Sequence, residues 1–208
     1  MSTPNCQLPT STGNAHRHGR WLAGLFATWS VAVGSYPAAQ GAAVLENDHV
    51  IVTRDAAPCA AAGPGCGDTI VVVLGEPNRG AIAVHQRGER YAAPTGKYFE
   101  VNVRPSRPPV KSPAVLIPPD KNSILFDGDD FFIFEEKLDP GDTRARHSHR
   151  ERVVIVLNKT RLQQWPDGSP EVFRDQVPDD VHFNAPVVHV VKTVGDAPLR
   201  NIVIEFKK

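Results

Sequence analysis

Apolar residues occur along this chain in short runs that turn-forming residues separate. In residues 70–74 and 153–157 every side chain is apolar. Continuous apolarity over a short run is typical of a strand that is buried on both faces. Several such runs between glycine and proline turns predict an all-β domain, either a sandwich or a barrel. The predicted strands are 49–54, 69–74, 81–85, 97–103, 123–126, 131–136, 153–157, 160–165, 181–184, 187–194 and 201–206.

Proline and glycine limit helices and mark the organisation of the chain. With 19 prolines and 16 glycines in 208 residues, long helices have little room, and we expect one short turn near residues 169–174. Residues 104–121 are rich in proline and predict an extended connector, because proline cannot donate a ladder hydrogen bond. The connector separates a first half, residues 44–103, from a domain at residues 122–208.

Residues 1–43 predict a signal peptide and a spacer. Arg17 and Arg20 precede an apolar stretch, residues 21–34, and small residues follow it. We expect cleavage between residues 39 and 43, a periplasmic or secreted protein, and no stable membrane span after cleavage. The alternative is a short membrane anchor, although spanning a bilayer takes roughly 20 apolar residues.

Cysteine usage agrees with export. Cys6 would leave with the signal peptide, and Cys59 and Cys66 would remain as an even pair. A disulfide between them would stabilise the domain by roughly 2–3 kcal/mol. The alternatives are two free thiols or a pair that binds a soft metal, although the spacing is wider than in common zinc knuckles.

Residues 140–157 contain the main candidates for a functional site, because a Pro-Gly turn leads there to His147 and His149. Residues i and i+2 of a strand point to the same face, so these two imidazoles can converge. His189 lies in another β-rich run and could supply a third imidazole. Three neutral imidazoles can hold zinc, iron, copper or manganese. The alternative is a polar cluster in a barrel that binds no metal.

These spacings resemble the motifs of the cupin superfamily. Gly141 stands five residues before His147-x-His149, as in the family's first motif, and His189 with the tail at residues 195–205 is similar to the second. The resemblance covers residues 120–208. It implies a jelly roll, also described as a double-stranded β-helix barrel, with the three histidines as metal ligands.

The chain also departs from the cupin pattern. The metal-binding glutamate of the family would fall at residue 153 or 154, and both are valine. Thr193 stands where the family's second motif has asparagine. Glu151 shares the strand parity of the histidines, so it or water would complete the shell around an ion.

The first half resembles a degenerate cupin domain that lacks the metal-binding residues. When the two valine runs are aligned, Pro64, Cys66 and Asp68 match His147, His149 and Glu151. Phe99 takes the place of the second-motif histidine. The chain is therefore interpreted as two cupin halves, of which the first is structural. The alternative is one cupin with additional N-terminal strands.

Two further sets of residues bear on a ligand. Trp165 and Phe183 are candidates for lining the barrel mouth, the alternative being aromatic core packing. Four arginines alternate with the histidines, which predicts solvated side chains on the opposite face. If some of them turn inward, a carboxylate or phosphate ligand becomes attractive. The arginines are Arg144, Arg146, Arg150 and Arg152.

Two functions follow from these patterns. The first is an exported cupin that binds a small molecule in its barrel, and the missing glutamate favours it. The second is a metal-dependent enzyme of dioxygenase or isomerase type. The 23 basic residues balance 23 acidic ones, so no basic surplus indicates a nucleic-acid partner. Homodimer formation through an edge strand is a further possibility that the resemblance implies.

Overall fold

The computed structural model describes residues 43–58 and 67–208. The signal-peptide segment before residue 43 and the pair Cys59 and Cys66 lie outside the described residues. Within these ranges there are fourteen strands, and no helix has the length and apolarity needed to cross a membrane. The strands are β1 Ala43–Glu46, β2 Val50–Arg54, β3 Thr69–Val73, β4 Ile82–His85, β5 Tyr98–Val103, β6 Asn122–Asp127, β7 Phe131–Leu138, β8 Thr143–His149, β9 Arg152–Val156, β10 Thr160–Pro166, β11 Val172–Gln176, β12 Val181–Asn184, β13 Val187–Thr193 and β14 Leu199–Phe206.

The strands form three antiparallel sheets. The first sheet has the order β1-β2-β5-β3-β4, the second sheet β12-β9-β14-β7-β6, and the third sheet β11-β10-β13-β8. From β7 to β14 the chain crosses repeatedly between the second and third sheets, which take four of these strands each, and only the consecutive strands β10 and β11 lie in the same sheet. Eight antiparallel strands in two facing sheets make a jelly roll. The predicted all-β jelly-roll fold is confirmed.

The main hydrophobic core lies between the first and second sheets. In β14 the alternate residues Ile202, Ile204 and Phe206 join this core together with Val72 and Phe99 of the first sheet. Burying an apolar side chain of this size stabilises the fold by about 1.5–3 kcal/mol. The first half of the chain is therefore packed onto the second half, and the proposed boundary at residues 104–121 stays a prediction.

The opposite face of the second sheet points toward the third sheet and is more polar. Its β14 residues are Leu199, Asn201, Val203 and Glu205. Val203 packs in a small apolar cluster with Phe134 and Val154, and Leu199 packs in another with Leu138, Leu162 and Val191. Alternation along β14 thus places the buried polar groups Asn201 and Glu205 on this face. The candidate site lies on the polar side.

The expected helical turn near residues 169–174 is wrong in part, because β11 occupies Val172–Gln176 and pairs with β10. The inward residues of β11 include Arg174 and Gln176, and Phe173 is exposed on the other face. With polar residues inside and an aromatic residue outside, the strand lacks the apolar alternation that sequence patterns detect.

Candidate functional site

A β-bulge in β8 determines which side chains enter the site. Along β13, His189 pairs with His147 and Val191 pairs with Arg144, so the register shifts between them. The bulge gives β8 one additional residue, which reverses the strand parity. Arg144 therefore shares the inward face with His147, although the sequence spacing of three predicts opposite faces.

Two of the four arginines are buried, contrary to the prediction that all of them are solvated on the opposite face. Arg144 is fully buried and Arg152 is 8% exposed. Arg146 is exposed and pairs with Asp167, as the prediction required. Arg150 is half-buried, 3.6 Å from a carboxylate oxygen of Glu205. Simple alternation failed because it assumes an unbroken strand, whereas β8 has a bulge and a bend precedes β9.

The structure brings the three predicted histidines together. The ring of His147 lies 4.8 Å from that of His149 and 4.6 Å from that of His189, and the third separation is 5.5 Å. One ring nitrogen of each residue lies within 4.8 Å of the others. All three side chains are buried. Strands β8 and β13, which pair at these residues, hold the cluster rigidly in the third sheet.

Hydrogen bonds fix the tautomers of two of these imidazoles. Nδ1 of His147 donates to the Ala145 carbonyl at 2.8 Å, and Nδ1 of His149 donates to the Glu205 carboxylate at 3.1 Å. In each ring Nε2 then carries the lone pair. Nε2 of His147 and both ring nitrogens of His189 are buried without a hydrogen-bond partner among the described residues. A buried polar atom left unsatisfied costs about 1–3 kcal/mol.

Burial keeps the three imidazoles neutral. It lowers the pKa of His189 to about 2, and the two other histidines add to the effect. It lowers the pKa of His149 far below its ordinary value, with Arg152 contributing. It also lowers the pKa of His147, against the opposing effect of the Ala145 carbonyl. Neutral imidazole is the form that binds a metal ion.

Two buried carboxylates beside the cluster were missed from the sequence. Glu205 accepts the hydrogen bond from His149, and Glu136 pairs with Arg144 at 2.6 Å. Burial raises the pKa of Glu205. Burial also acts to raise the pKa of Glu136, but Arg144, the neighbouring histidines and the hydrogen bond from Asn201 together lower it below its ordinary value. The available signal was an acidic residue inside an otherwise apolar strand, which implies a buried partner.

A cleft opens between the second and third sheets next to the histidines. Its cavity volume is about 50 Å³, and His149 and His189 form part of its wall. Two arginines, Arg152 and Arg174, also line it. Its remaining polar lining consists of His182, Glu136 and four side-chain amides. The amides are Gln164, Gln176, Asn184 and Asn201.

Comparisons with known proteins found similarity only to solved structures. No protein-family model and no curated protein match the chain. A cupin domain from Bordetella pertussis is similar, with 19% identity over 42% of this chain and 92% of that one and a TM-score of 0.39. AerE from Microcystis aeruginosa is 14% identical over 81% and 98% of the chains, with a TM-score of 0.46. The Cnp3 cupin domain of Schizosaccharomyces pombe is 13% identical over 71% and 88%, with a TM-score of 0.34.

The strand order of β7–β14 decides the fold by itself, because the eight strands are divided equally between two facing antiparallel sheets. The fold is a jelly roll. Within this jelly roll, His147 and His189 face one another across paired strands, where the two sequence motifs placed them.

The side chain of Glu151 contacts residues outside the strands of the jelly roll and away from the histidine cluster. Its carboxylate accepts a hydrogen bond from the Lys111 backbone at 2.8 Å and lies 3.5 Å from Nε2 of His49. The ring of His49 stacks on Phe183 at 5.1 Å, and Phe183 packs against the core between the first and second sheets. Among the described residues, the group whose donor atoms converge consists of the three histidines alone.

The two aromatic residues predicted to line the pocket lie elsewhere. Phe183 faces the core, as described, which is the aromatic packing that the sequence left open as the alternative. Trp165 pairs with Val190 and donates from Nε1 to the exposed Glu171 at 3.2 Å. Its strand neighbour Gln164 points into the cleft, so alternation sends Trp165 to the outer face. Of the residues the structure describes, those that line the cleft include neither aromatic.

Proposed function

We propose that this protein binds a divalent transition-metal ion through His147, His149 and His189 and holds a small polar molecule in the adjacent cleft. The observation that carries the proposal is the set of buried ring nitrogens of His147 and His189 that lack hydrogen-bond partners, in a cluster of three neutral imidazoles whose donor atoms group within 4.8 Å. Buried polar atoms are ordinarily satisfied. An ion where the donor atoms converge would take one nitrogen from each ring and so satisfy Nε2 of His147 and one of the two nitrogens of His189.

The donor set fits such an ion. Three imidazoles are ligands that zinc, iron, copper and manganese accept, and three protein ligands leave positions open. When bound, a divalent ion with neutral ligands would supply Lewis-acid polarisation of a group beside it. The chain's own contribution is orientation. The carboxylate of Glu205 holds the ring of His149, which is the carboxylate–histidine arrangement that supports metal centres.

A second candidate is a metal-dependent enzyme, of the dioxygenase or isomerase type that the cupin resemblance implies. The observation that favours it is the open side of the cluster, because His149 and His189 both line the cleft. A molecule in the cleft would then lie next to the metal ligands. Glu136 and Glu205 are buried carboxylates in the same interior, where a proton could be held.

Metal content tests the proposal directly. We expect about one ion per chain in the untagged protein, measured by elemental analysis after incubation with zinc, iron, manganese or copper and removal of free metal. The His147→Ala/His189→Ala double variant should lose the ion. His182→Ala is the matched control, since His182 lines the cleft outside the cluster. A folded wild-type protein that retains none of these ions would contradict the proposal.

We further infer that the mature protein is exported and that Cys59 and Cys66 form a disulfide. The support is the sequence alone: an apolar stretch after two arginines, small residues behind it, and an even pair of cysteines beyond. Both inferences concern residues outside the described ranges.

A further inference from the structure

The cationic side chains of the cleft exceed the acidic partners available to them. We propose that the cleft selects a small organic anion, a carboxylate or a phosphate ester, through the guanidinium groups of Arg152 and Arg174. The inference rests on the proposed function in that the anion would occupy the cleft next to the three-histidine cluster. It adds the class of molecule bound there and the residues that recognise it.

Arg174 lines the cleft from the edge strand β11 and is exposed to solvent. It pairs in register with Leu162, and both residues line the cleft. The next residue, Asp175, lies on the opposite face and pairs with Arg161 at 3.7 Å. Strand alternation thus separates Arg174 from the nearest acidic residue in sequence. Among the described residues, no carboxylate oxygen lies within 4.0 Å of its guanidinium.

Arg152 enters the same cleft from the second sheet and is buried. Its Nη1 donates to the backbone carbonyls of Ala185 at 2.9 Å and Arg150 at 3.2 Å. Carbonyls orient a guanidinium without neutralising it, and Glu136 and Glu205 act on this charge without forming an ion pair with it. Within the described ranges no ion pair neutralises this cation either, so the two arginines present two positive charges to one cavity.

The acidic residues of the interior are already engaged. Glu136 pairs with Arg144 at 2.6 Å and accepts a hydrogen bond from Asn201 at 3.1 Å. Glu205 accepts from His149 at 3.1 Å and lies 3.6 Å from Arg150. Because the histidines are neutral, the cleft keeps a positive surplus before any metal ion is counted.

The lining also defines the shape and polarity of the ligand. A guanidinium binds carboxylate or phosphate oxygens with two parallel hydrogen bonds, and both groups share this chemistry. Two neighbouring cations repel one another, so an anion between them gains from both. Side-chain amides such as Gln164 and Asn184 can bond hydroxyl or carbonyl groups on the rest of the molecule. With a cavity volume of about 50 Å³ and this lining, the cleft favours a small, polar ligand.

Calorimetric titration of the zinc-loaded full chain tests the inference. The probes are succinate and glycerol phosphate, which distinguish the two anion sources, and succinamide, the neutral match to succinate. We expect at least one anion to bind about tenfold more tightly than succinamide, since charge-assisted hydrogen bonds discriminate by this amount. Arg174→Gln should weaken that binding about tenfold, and Arg174→Lys should weaken it less. Arg161→Gln, on the neighbouring strand and the outer face, is the matched control and should leave it unchanged.

Repeating the titration without metal separates this inference from the metal proposal. If the chain binds no metal but still binds an anion in a manner that depends on Arg174, the anion site stands and the metal proposal falls. If the chain binds one metal ion, but neither anion binds or Arg174→Gln has no effect, the anion site is overturned. Equal affinity for succinate and succinamide would also overturn it.

Discussion

At the scale of single residues, the buried imidazoles couple the stability of the metal-free protein to pH. In the folded protein the pKa values of His147, His149 and His189 lie below the ordinary value, whereas in the unfolded chain they return to about 6.5. Below pH 6.5 the unfolded chain therefore takes up protons that the folded protein does not. Its free energy falls relative to the folded state, so stability decreases as the pH decreases.

The stability of the metal-free protein is expected to fall steeply as the pH decreases. Each histidine contributes a slope of up to about 1.4 kcal/mol per pH unit below pH 6.5. Urea unfolding of the metal-free protein between pH 7.5 and pH 5 should show this decline, and His189→Gln should reduce its slope. The half-exposed His182 serves as the control, because His182→Gln should leave the slope unchanged. A flat profile between pH 6.5 and pH 5 would mean that the imidazoles are protonated in the folded state.

At the scale of the elements, the bulge in β8 brings Arg144 beside Glu136, and each neutralises the other in the interior. Arg144→Met removes the cation and leaves a carboxylate buried without its partner, which should destabilise the protein by about 3–5 kcal/mol. Adding Glu136→Gln should recover much of this loss in a double-mutant cycle measured by urea unfolding. Arg146→Met, on the exposed side of the same strand, should change little. If the change in the free energy of unfolding of the double variant equalled the sum of the two single changes, the two side chains would not be coupled.

The same bulge marks the limit of what the sequence could predict at this scale. Apolar runs such as residues 153–157 located the strands, because their burial on both faces leaves a continuous pattern. The spacing of His147 and His149 gave their common face, since no irregularity separates them. The inward turn of Arg144 was not predictable, because one additional residue in a strand leaves no mark in composition. Arg174 was missed because β11 places polar residues inward.

At the scale of the whole molecule, the first sheet supports the jelly roll without containing any of the three histidines. Phe99 is fully buried in the core that the first and second sheets share, and its ring lies under the guanidinium of Arg54 at 4.8 Å. The first sheet and the histidine cluster lie on opposite faces of β14. A change in the core between the first and second sheets can therefore affect the histidines only by displacing the second sheet. The first sheet should accordingly affect stability and leave metal binding intact.

Phe99→Leu measures this separation. The smaller side chain leaves part of the packing unfilled, and we expect a loss of about 1–2 kcal/mol in the free energy of unfolding. Because one core joins both sheets, circular dichroism and tryptophan fluorescence should report a single coincident transition in urea. The metal stoichiometry of the folded variant should equal that of the wild type, as should that of Phe173→Leu, whose ring is 52% exposed. Phe99 and the histidines lie on opposite sides of the second sheet. Loss of the ion from a folded Phe99→Leu variant would therefore show that the first sheet helps to form the site.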